Sequence, residues 1–457
     1  MKTWNQLFVR HGWKLEKLEE NIFNIRSETE YNVAFLRECL ERTGVQSLIE
    51  DRKLLLRGEP VSEQDWIQAV DFRYRGRGEG LWFQAGKEEP KVQQLDTYIC
   101  GIVRQLNRLG FQTIGSCDGH ERRAAHVIIS NEGKSVEELV QLLEALGVKR
   151  VHCREHGQSF TVSLPLNRME LLNLAEKMSL VEEVWMEQGA DFIKEQLFYL
   201  SLEELLSIPG ASGCENRIRE TVKERLSPYA DDISIDRHGN LLAEKTYRSG
   251  HGPTILLNAH LDIVHELEPD RVILKANDIW SSSKGILGAD DRAGVAVLLH
   301  IAEHLIDSSF SGKVKFIFTV QEEAGLVGAD QVDEYFLWGT DAAIVVDRRS
   351  TGDIVTSCGG YIPFCDEKYG RFFEDLAKEK GLTGWKSTEG GSSDTRIWAA
   401  HGIQSVNLSA GYQHEHTTNE CLNVKACYLT AQLVKAFFEK APELRRLLNQ
   451  IRREIAS

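Results

Sequence analysis

The stretch TILLNAHLD (254–262) is an apolar run that ends in two residues able to bind a metal ion, His260 and Asp262. Three later apolar runs end in the same way: VKFIFTV before Gln321, Glu322 and Glu323, AAIVV before Asp347, and SVNLSAG before a loop with His414 and His416. Apolar runs of strand length, separated by helical patterns, indicate a parallel sheet with helices around it. Ligands of such sheets bind at the carboxyl ends of the strands. The sequence therefore predicts an α/β fold, with a mixed but mostly parallel sheet, flanking helices and these side chains at one edge.

A fifth motif, GADDRAG (288–294), places Asp290 and Asp291 at the start of an apolar, helix-like stretch. Two divalent metal ions about 3.5–4 Å apart need about three protein ligands each, and one carboxylate can bridge them beside a shared hydroxide. Zinc accepts imidazole nitrogen and carboxylate oxygen. The motifs supply enough ligands for such a pair, namely His260, Asp290, Glu323, Asp347 and His416. We therefore predict a centre of two divalent metals, with zinc as the first choice and cobalt or manganese as alternatives.

Two further carboxylates have predicted supporting roles. Glu322 lies beside a ligand, and a carboxylate that does not bind metal can move a proton between a water molecule and the leaving amine. Asp262 is two residues from His260, on the same side of an extended chain, so it can accept a hydrogen bond from the second imidazole nitrogen. We expect Glu322 to act as general acid and base, and Asp262 to hold the His260 ring.

The order of these motifs resembles a known group of enzymes. H-x-D, G-A-D-D-x-A-G, x-E-E-x-G, an Asp after a strand and a late His are similar to the co-catalytic zinc exopeptidases. That group includes bacterial di-zinc aminopeptidases, peptidase T-like tripeptidases and glutamate-releasing carboxypeptidases. The resemblance covers about residues 197 to 445, including the segments SIPGASGCEN (207–216) and DRHGNLLA (236–243).

The resemblance implies a role for each matching residue. Asp290 would bridge two zinc ions, with His260 and Asp347 completing one site. Glu323 and His416 would complete the other site. Glu322 would be the general acid and base, and Asp262 would support His260. The resemblance also implies a cis peptide bond between Asp290 and Asp291.

Two intervals indicate which branch of the group the chain resembles. Members with an inserted lid or dimerisation domain carry it between the motifs, but only 30 positions separate His260 from Asp290 and 69 separate Asp347 from His416. Neither interval can hold a domain besides the sheet elements that it must supply. The chain therefore resembles the lid-free aminopeptidases, which implies hydrolysis of short peptides from the amino end. A carboxypeptidase, or an amidohydrolase or deacylase with the same metals, is the alternative; a non-enzyme scaffold is disfavoured because Glu322 is present.

Several residues keep more than one interpretation. His414 competes with His416 for the last ligand position, although HTTNE (416–420) fits the late motif of the group better. Asp394, in GGSSDTR (390–396), either orients the site or forms a turn. Arg348 or Arg349 either holds a carboxylate of the substrate or lies on the surface.

The amino-terminal half predicts two further parts, of unknown role. Residues 1–90 are expected to be mostly helical, with Leu15, Leu18 and Ile22 on one helical face and Val33, Leu36 and Leu40 on another. The Gly- and charge-rich stretch 73–91 indicates a loop or linker. Residues 91–195 alternate between helix and strand patterns and predict a small α+β domain. The catalytic domain would then occupy 196–457. Cys117, His120, His126, Cys153 and His156 match no standard zinc spacing, and SCDGH (116–120) favours a tight turn between two strands.

Composition limits the partners and the compartment. The 457 residues carry a net charge of −15, which argues against nucleic-acid binding through a broad basic face. The nine cysteines form no C-x-x-C pair and are expected to be reduced thiols. The start of the chain lacks a signal-peptide core, and no apolar run has membrane-spanning length. We therefore predict a cytoplasmic protein without a membrane partner, and the sequence leaves open whether it forms a homo-oligomer.

Overall fold

A computed structural model of the chain describes residues 2–73, 75–76 and 90–455. The chain falls into two compact units, Met1–Leu197 and Phe198–Ser457. Most of the linker predicted over 73–91 lies outside the described residues. Among the described residues, no helix combines the length and the apolar character that crossing a membrane requires.

The first unit contains two four-stranded antiparallel sheets with helices packed on them. The helices are α1 Trp4–Arg10, α2 Glu30–Arg42, α3 Glu63–Val70, α4 Cys100–Arg108, α5 Val136–Ala145, α6 Arg168–Ser179 and α7 Ala190–Leu206, which continues into the second unit. The strands are β1 Glu16–Glu19, β2 Ile22–Asn24, β3 Gln46–Glu50, β4 Lys53–Arg57, β5 Thr113–Cys117, β6 Ala125–Ser130, β7 His152–His156 and β8 Ser159–Leu164. The strand orders are β1-β2-β4-β3 and β5-β6-β8-β7. One hydrophobic cluster, from Trp4 to Ile193, runs through both halves of this unit.

The expectation of a helical segment over 1–90 is wrong in part, because that segment contains the whole β1–β4 sheet. Val33, Leu36 and Leu40 do lie on a helix, α2. Leu18 and Ile22, however, lie on two different strands, which are separated by a turn with Asn21 at φ 63°. A spacing of three or four residues across a short hairpin imitates one face of a helix. The shared cluster also joins 1–90 to 91–195 in one core, where the sequence suggested two separate parts.

The second unit is built on a nine-stranded mixed sheet. The strands of the whole unit, in this sheet and in a smaller one, are β9 Asp232–Ile235, β10 Leu241–Tyr247, β11 Thr254–His260, β12 Ile273–Ala276, β13 Ile279–Ser282, β14 Gly312–Thr319, β15 Ala342–Arg348, β16 Asp353–Cys358, β17 Ile362–Pro363, β18 Lys386–Gly390, β19 Gln404–Ser409, β20 Tyr412–Gln413 and β21 Cys421–Asn423. The large sheet has the order β17-β16-β19-β15-β11-β14-β10-β9, with β18 beside β16. The remaining strands form a small antiparallel sheet, β12-β13-β21-β20.

Helices cover both faces of the large sheet. The helices of this unit are α8 Asn216–Leu226, α9 Ala289–Leu305, α10 Val327–Asp330, α11 Glu334–Leu337, α12 Glu367–Glu379, α13 Asp394–Ala400, α14 Val424–Glu439 and α15 Ala441–Ile455. Along β11, Ile255 and Leu257 belong to the core that contains α9 and α14, whereas Leu256 belongs to the core that contains α13. This burial on both sides explains why the strands are continuous apolar runs and not alternating ones.

The predicted gathering of strand ends is confirmed. Strand β11 pairs in parallel with β14 and with β15, and β15 pairs in parallel with β19. The four strands therefore point in one direction, and the residues that follow them meet at a single edge. The α/β fold with a mixed central sheet, predicted from the apolar runs, is the fold observed.

Candidate metal centre

His260 is the last residue of β11, and its side chain is buried with both ring nitrogens facing acidic groups. Its Nε2 lies 3.1 Å from Asp290 Oδ1 and 3.5 Å from Asp347 Oδ1. Its Nδ1 lies 3.1 Å from the backbone oxygen of Asp262 and 3.4 Å from Asp262 Oδ1. A ring that is held on Nδ1 keeps Nε2 for the two carboxylates that face it.

Asp290 faces both histidines through its two oxygens. Oδ1 lies 3.1 Å from His260 Nε2, and Oδ2 lies 3.2 Å from His416 Nε2. Burial alone would raise the pKa of Asp290, but the hydrogen bonds from these two imidazoles lower it below its ordinary range. The Asp290–Asp291 peptide bond is cis, as the resemblance implied. Asp290 is thus placed between two groups of donor atoms, where a bridging carboxylate would have to be.

Glu323 and His416 complete the second group. Glu323 follows β14 and lies with its Oε1 2.7 Å from His416 Nε2. Among the two histidines of the late loop, it is His416 whose nitrogen joins the carboxylates; His414 is exposed and is part of no group of metal-type donors among the described residues. The structure therefore favours His416 over His414, as the motif did.

The five side chains form two groups that share one member. One donor atom each from His260, Asp290 and Asp347 lie within 4.8 Å of one another, and so do donor atoms from Asp290, Glu323 and His416. Imidazole nitrogen with carboxylate oxygen is a donor set that suits zinc and related divalent ions. Carboxylates outnumber imidazoles in these groups, so positive charge would stabilise the arrangement. The residues present therefore fit divalent metal ions.

Electrostatics support the same conclusion. Without a bound cation, burial, together with repulsion from Asp347, Asp394 and Asp290, raises the pKa of Glu322 to about 10, so Glu322 needs a nearby cation to be ionised at neutral pH. Burial and the charge of Asp290 raise the pKa of Glu323 to about 7, although both histidines oppose that rise. Cations are the usual counter-charge for carboxylates that are crowded out of water in this way.

Asp262 holds the site by more hydrogen bonds than the sequence indicated. Besides facing His260, its Oδ1 accepts the Glu322 N–H at 2.9 Å, and its Oδ2 accepts the Glu323 N–H at 3.1 Å and the Ser212 hydroxyl at 2.6 Å. Burial alone would raise the pKa of Asp262, but the hydrogen bonds, first of all that with His260, lower it to about 2. The loop that carries Glu322 and Glu323 is thereby fixed to the end of β11.

Two residues that sequence reasoning missed orient the predicted ligands. Glu420 is buried, and its carboxylate accepts the N–H groups of Gly288 and Ala289 at 2.7 Å each and that of Asp290 at 3.1 Å. Burial raises the pKa of the Glu420 carboxyl, and these N–H groups oppose the rise. Tyr412 donates its hydroxyl to Asp347 Oδ1 at 3.0 Å. For Glu420 the sequence signal was its place as the last residue of HTTNE (416–420), although that motif indicated no role for it. Tyr412 had no sequence signal.

A cavity of about 150 Å³ opens at this edge of the sheet. Its lining includes the carboxylates of the two groups, Glu322, and residues of three surrounding loops. Arg348 and Arg349 also line it, but each is engaged by an acid, Asp353 at 3.1 Å and Glu415 at 2.8 Å respectively. Asp394 is buried at the start of α13, where its Oδ2 accepts the Thr319 hydroxyl at 2.5 Å.

Comparisons with known proteins agree with the geometry. The family model described as M42 glutamyl aminopeptidase matches residues 269–433. A putative aminopeptidase of Acetivibrio thermocellus is 25% identical over 317 residues, covering 50% of this chain and 94% of the relative. The uncharacterized protein YqjE of Bacillus subtilis (strain 168) is 22% identical over 364 residues, covering 52% of this chain and 96% of the relative. The crystal structure of aminopeptidase PepT from Bacillus cereus ATCC 10987 aligns with a TM-score of 0.49 and 20% identity, covering 54% of this chain and 99% of that one.

The sheet, the donor groups at its edge and the family match support a metal-dependent exopeptidase. Within that class the chain is of the aminopeptidase type, as the M42 match indicates. The deacylase and carboxypeptidase alternatives are not favoured.

Proposed function

We propose that the second unit is a di-metal aminopeptidase of short peptides, with zinc as the metal. His260 and Asp347 would hold one ion, Glu323 and His416 the other, and Asp290 would bridge them. The observation that carries this proposal is the position of Asp290, whose two oxygens lie 3.1 Å and 3.2 Å from one histidine each. A carboxylate that faces two histidines in this way suits a pair of adjacent metals better than a single one.

The chemistry can be divided between the metals and the chain. Bound divalent metals supply Lewis-acid polarisation of the peptide carbonyl and acidify a water molecule. Glu322 takes up the proton of that water and passes it to the nitrogen of the leaving group. Its placement supports this role, because it lines the cavity while its carboxylate belongs to neither donor group. Asp262 positions Glu322 through the Glu322 N–H and His260 through Nδ1.

The direction of attack follows from the charge of the cavity. Its lining is dominated by carboxylates, including Asp290, Glu322, Glu323, Asp347 and Glu415. A free α-amine of a peptide is cationic and can pair with the carboxylates of this lining that belong to neither donor group, Glu322 and Glu415. We therefore propose cleavage from the amino end. The cytoplasmic location stays a prediction of the sequence.

Substitution of the two adjacent glutamates tests the proposal. Glu322→Gln should bind metal as the wild type does and lose at least about 10²-fold in kcat, the scale of general acid–base catalysis. Glu323→Gln should lower the metal content of the purified protein. Both variants remove one charge from the same loop, so each is the control for the other. Metal loss in Glu322→Gln with normal content in Glu323→Gln would show that the roles are reversed.

A further inference from the structure

The first unit contains a second cluster of metal-type donors, unrelated in sequence to the peptidase motifs. One donor atom each from Asp96, Cys117, Asp118 and His120 lie within 4.8 Å of one another. Cys117 ends β5, and Asp118 and His120 lie in the short turn that leads to β6. Asp96 comes from the segment before α4. The SCDGH stretch is thus the tight turn that the sequence favoured, and it also places donors around the side chain of a distant residue.

The donors are enclosed and close enough to share an ion. The side chains of Asp96 and Asp118 are 1% and 3% exposed, and that of His120 is 36% exposed. His120 Nε2 lies 3.8 Å from Asp96 Oδ2, and His120 Nδ1 lies 3.2 Å from Asp118 Oδ1. Bonds of about 2.0–2.3 Å around a tetrahedral zinc ion put its ligands about 3.3–3.8 Å apart. One imidazole nitrogen of His120 would bind the ion, so the ring would turn from the position in which its two nitrogens face different carboxylates.

The protein itself leaves part of this cluster unsatisfied. Asp96 Oδ1 is buried beside Gly76, and within the described residues it has no hydrogen-bond partner. A buried carboxylate oxygen without a partner is costly, because it has lost its hydration and gained nothing in exchange. Asp96 Oδ2 has one polar neighbour of the backbone, the Asp118 N–H at 3.0 Å. Two buried carboxylates side by side therefore lack a full counter-charge within the cluster.

Two arginines stand at the edge of the cluster and are the competing explanation. Arg123 Nη2 lies 3.4 Å from Cys117 Sγ, and Arg168 Nε lies 3.8 Å from Asp118 Oδ2. Arg123 also acts on Asp96 electrostatically. The two guanidinium groups can supply the counter-charge of the cluster without a metal ion, so the test has to separate these two explanations.

We propose that Asp96, Cys117, Asp118 and His120 form a third metal site, which takes a zinc-type divalent ion. The sulfur donor favours zinc or cobalt over magnesium or calcium, which prefer oxygen ligands alone. Binding displaces the proton of the Cys117 thiol, which leaves to solvent. Four protein ligands fill a tetrahedral shell and leave no position for a substrate, so the site stabilises the unit and performs no catalysis. The ion would join the segment before α4 to the β5–β6 turn.

Cobalt substitution of the full chain tests this site separately from the peptidase centre. A cobalt–thiolate bond gives a charge-transfer band in the near ultraviolet, which imidazole and carboxylate ligands do not give. The two peptidase groups contain no cysteine, so the band does not arise from them, and the variants below assign it to Cys117. We expect the band in the wild type after removal of metal and addition of Co²⁺, and its loss in Cys117→Ser. Cys153→Ser is the matched control, because Cys153 is an exposed thiol of the same unit, and it should keep the band.

A second variant covers the case in which Cys117→Ser does not fold. His120→Ala changes a partly exposed side chain. The Co²⁺ concentration that gives half of the charge-transfer band should rise at least about 10-fold in this variant. Both variants should keep aminopeptidase activity. Absence of the band in the wild type at saturating Co²⁺, or its persistence in Cys117→Ser, would overturn the proposal and leave the arginines as the counter-charge. Either result is independent of whether the peptidase centre binds metal.

Discussion

Replacement of Glu420 by Gln tests whether the backbone around Asp290 is held by this one side chain. The carboxylate accepts three N–H groups, from residues 288, 289 and 290, at 2.7–3.1 Å. A glutamine has a single acceptor oxygen, so at least one buried N–H group would face an NH₂ group instead. Loss of one hydrogen bond to a charged acceptor costs about 1.5–3 kcal/mol. For a unit of this size that corresponds to a fall in Tm of about 3–12 °C.

Calorimetry of the full chain measures this fall in Tm. The unfolding transition of the catalytic unit is the one at which activity is lost on heating. Activity on a dipeptide should fall at least about 10-fold as well, because small displacements of a group next to the reacting atoms are costly. Glu439→Gln is the matched control. Glu439 is about half exposed and pairs with Lys380 at 2.6 Å, so its loss should change the free energy of unfolding by less than about 0.5 kcal/mol. If the two variants have the same Tm and activity, Glu420 does not support the site in the way inferred.

Three further outcomes are expected. Prolonged treatment with EDTA should abolish hydrolysis, and zinc or cobalt should restore it; full activity at a metal content near zero would contradict the mechanism. Peptides with a free α-amine should be cleaved from the amino end. Acetyl-capped versions of the same peptides should be cleaved at least about 10-fold more slowly, as measured by mass spectrometry. Release of the C-terminal residue first would support the carboxypeptidase alternative. A fragment of residues 198–457 should fold and bind metal by itself, since both of its hydrophobic clusters consist of its own residues, and circular dichroism with metal analysis would show whether it does.

The sequence was most informative where local pattern and chemistry coincide. Strands β11, β14 and β15 are buried on both faces, so each is a continuous apolar run, and the polar residue that ends the run marks the edge of the sheet. Parallel pairing then brings His260, Glu323 and Asp347 to one place without any further information. The same reasoning failed for β1 and β2, because these strands are short and the apolar residues in and beside them matched a helical spacing by coincidence.

The sequence by itself therefore determined the sheet and the edge that carries the donors, and it predicted five candidate ligands, with His414 as an alternative to His416. Only the tertiary structure decided which side chains hold those donors in place. Glu420 reaches the 288–290 backbone across about 130 positions of sequence, and Asp96 meets Cys117 from another segment. Periodicity reports how an element buries its own faces, whereas such contacts depend on how separate elements pack together. A buried carboxylate and the N–H groups that donate to it share no local sequence pattern, so only the packing of the fold brings them together.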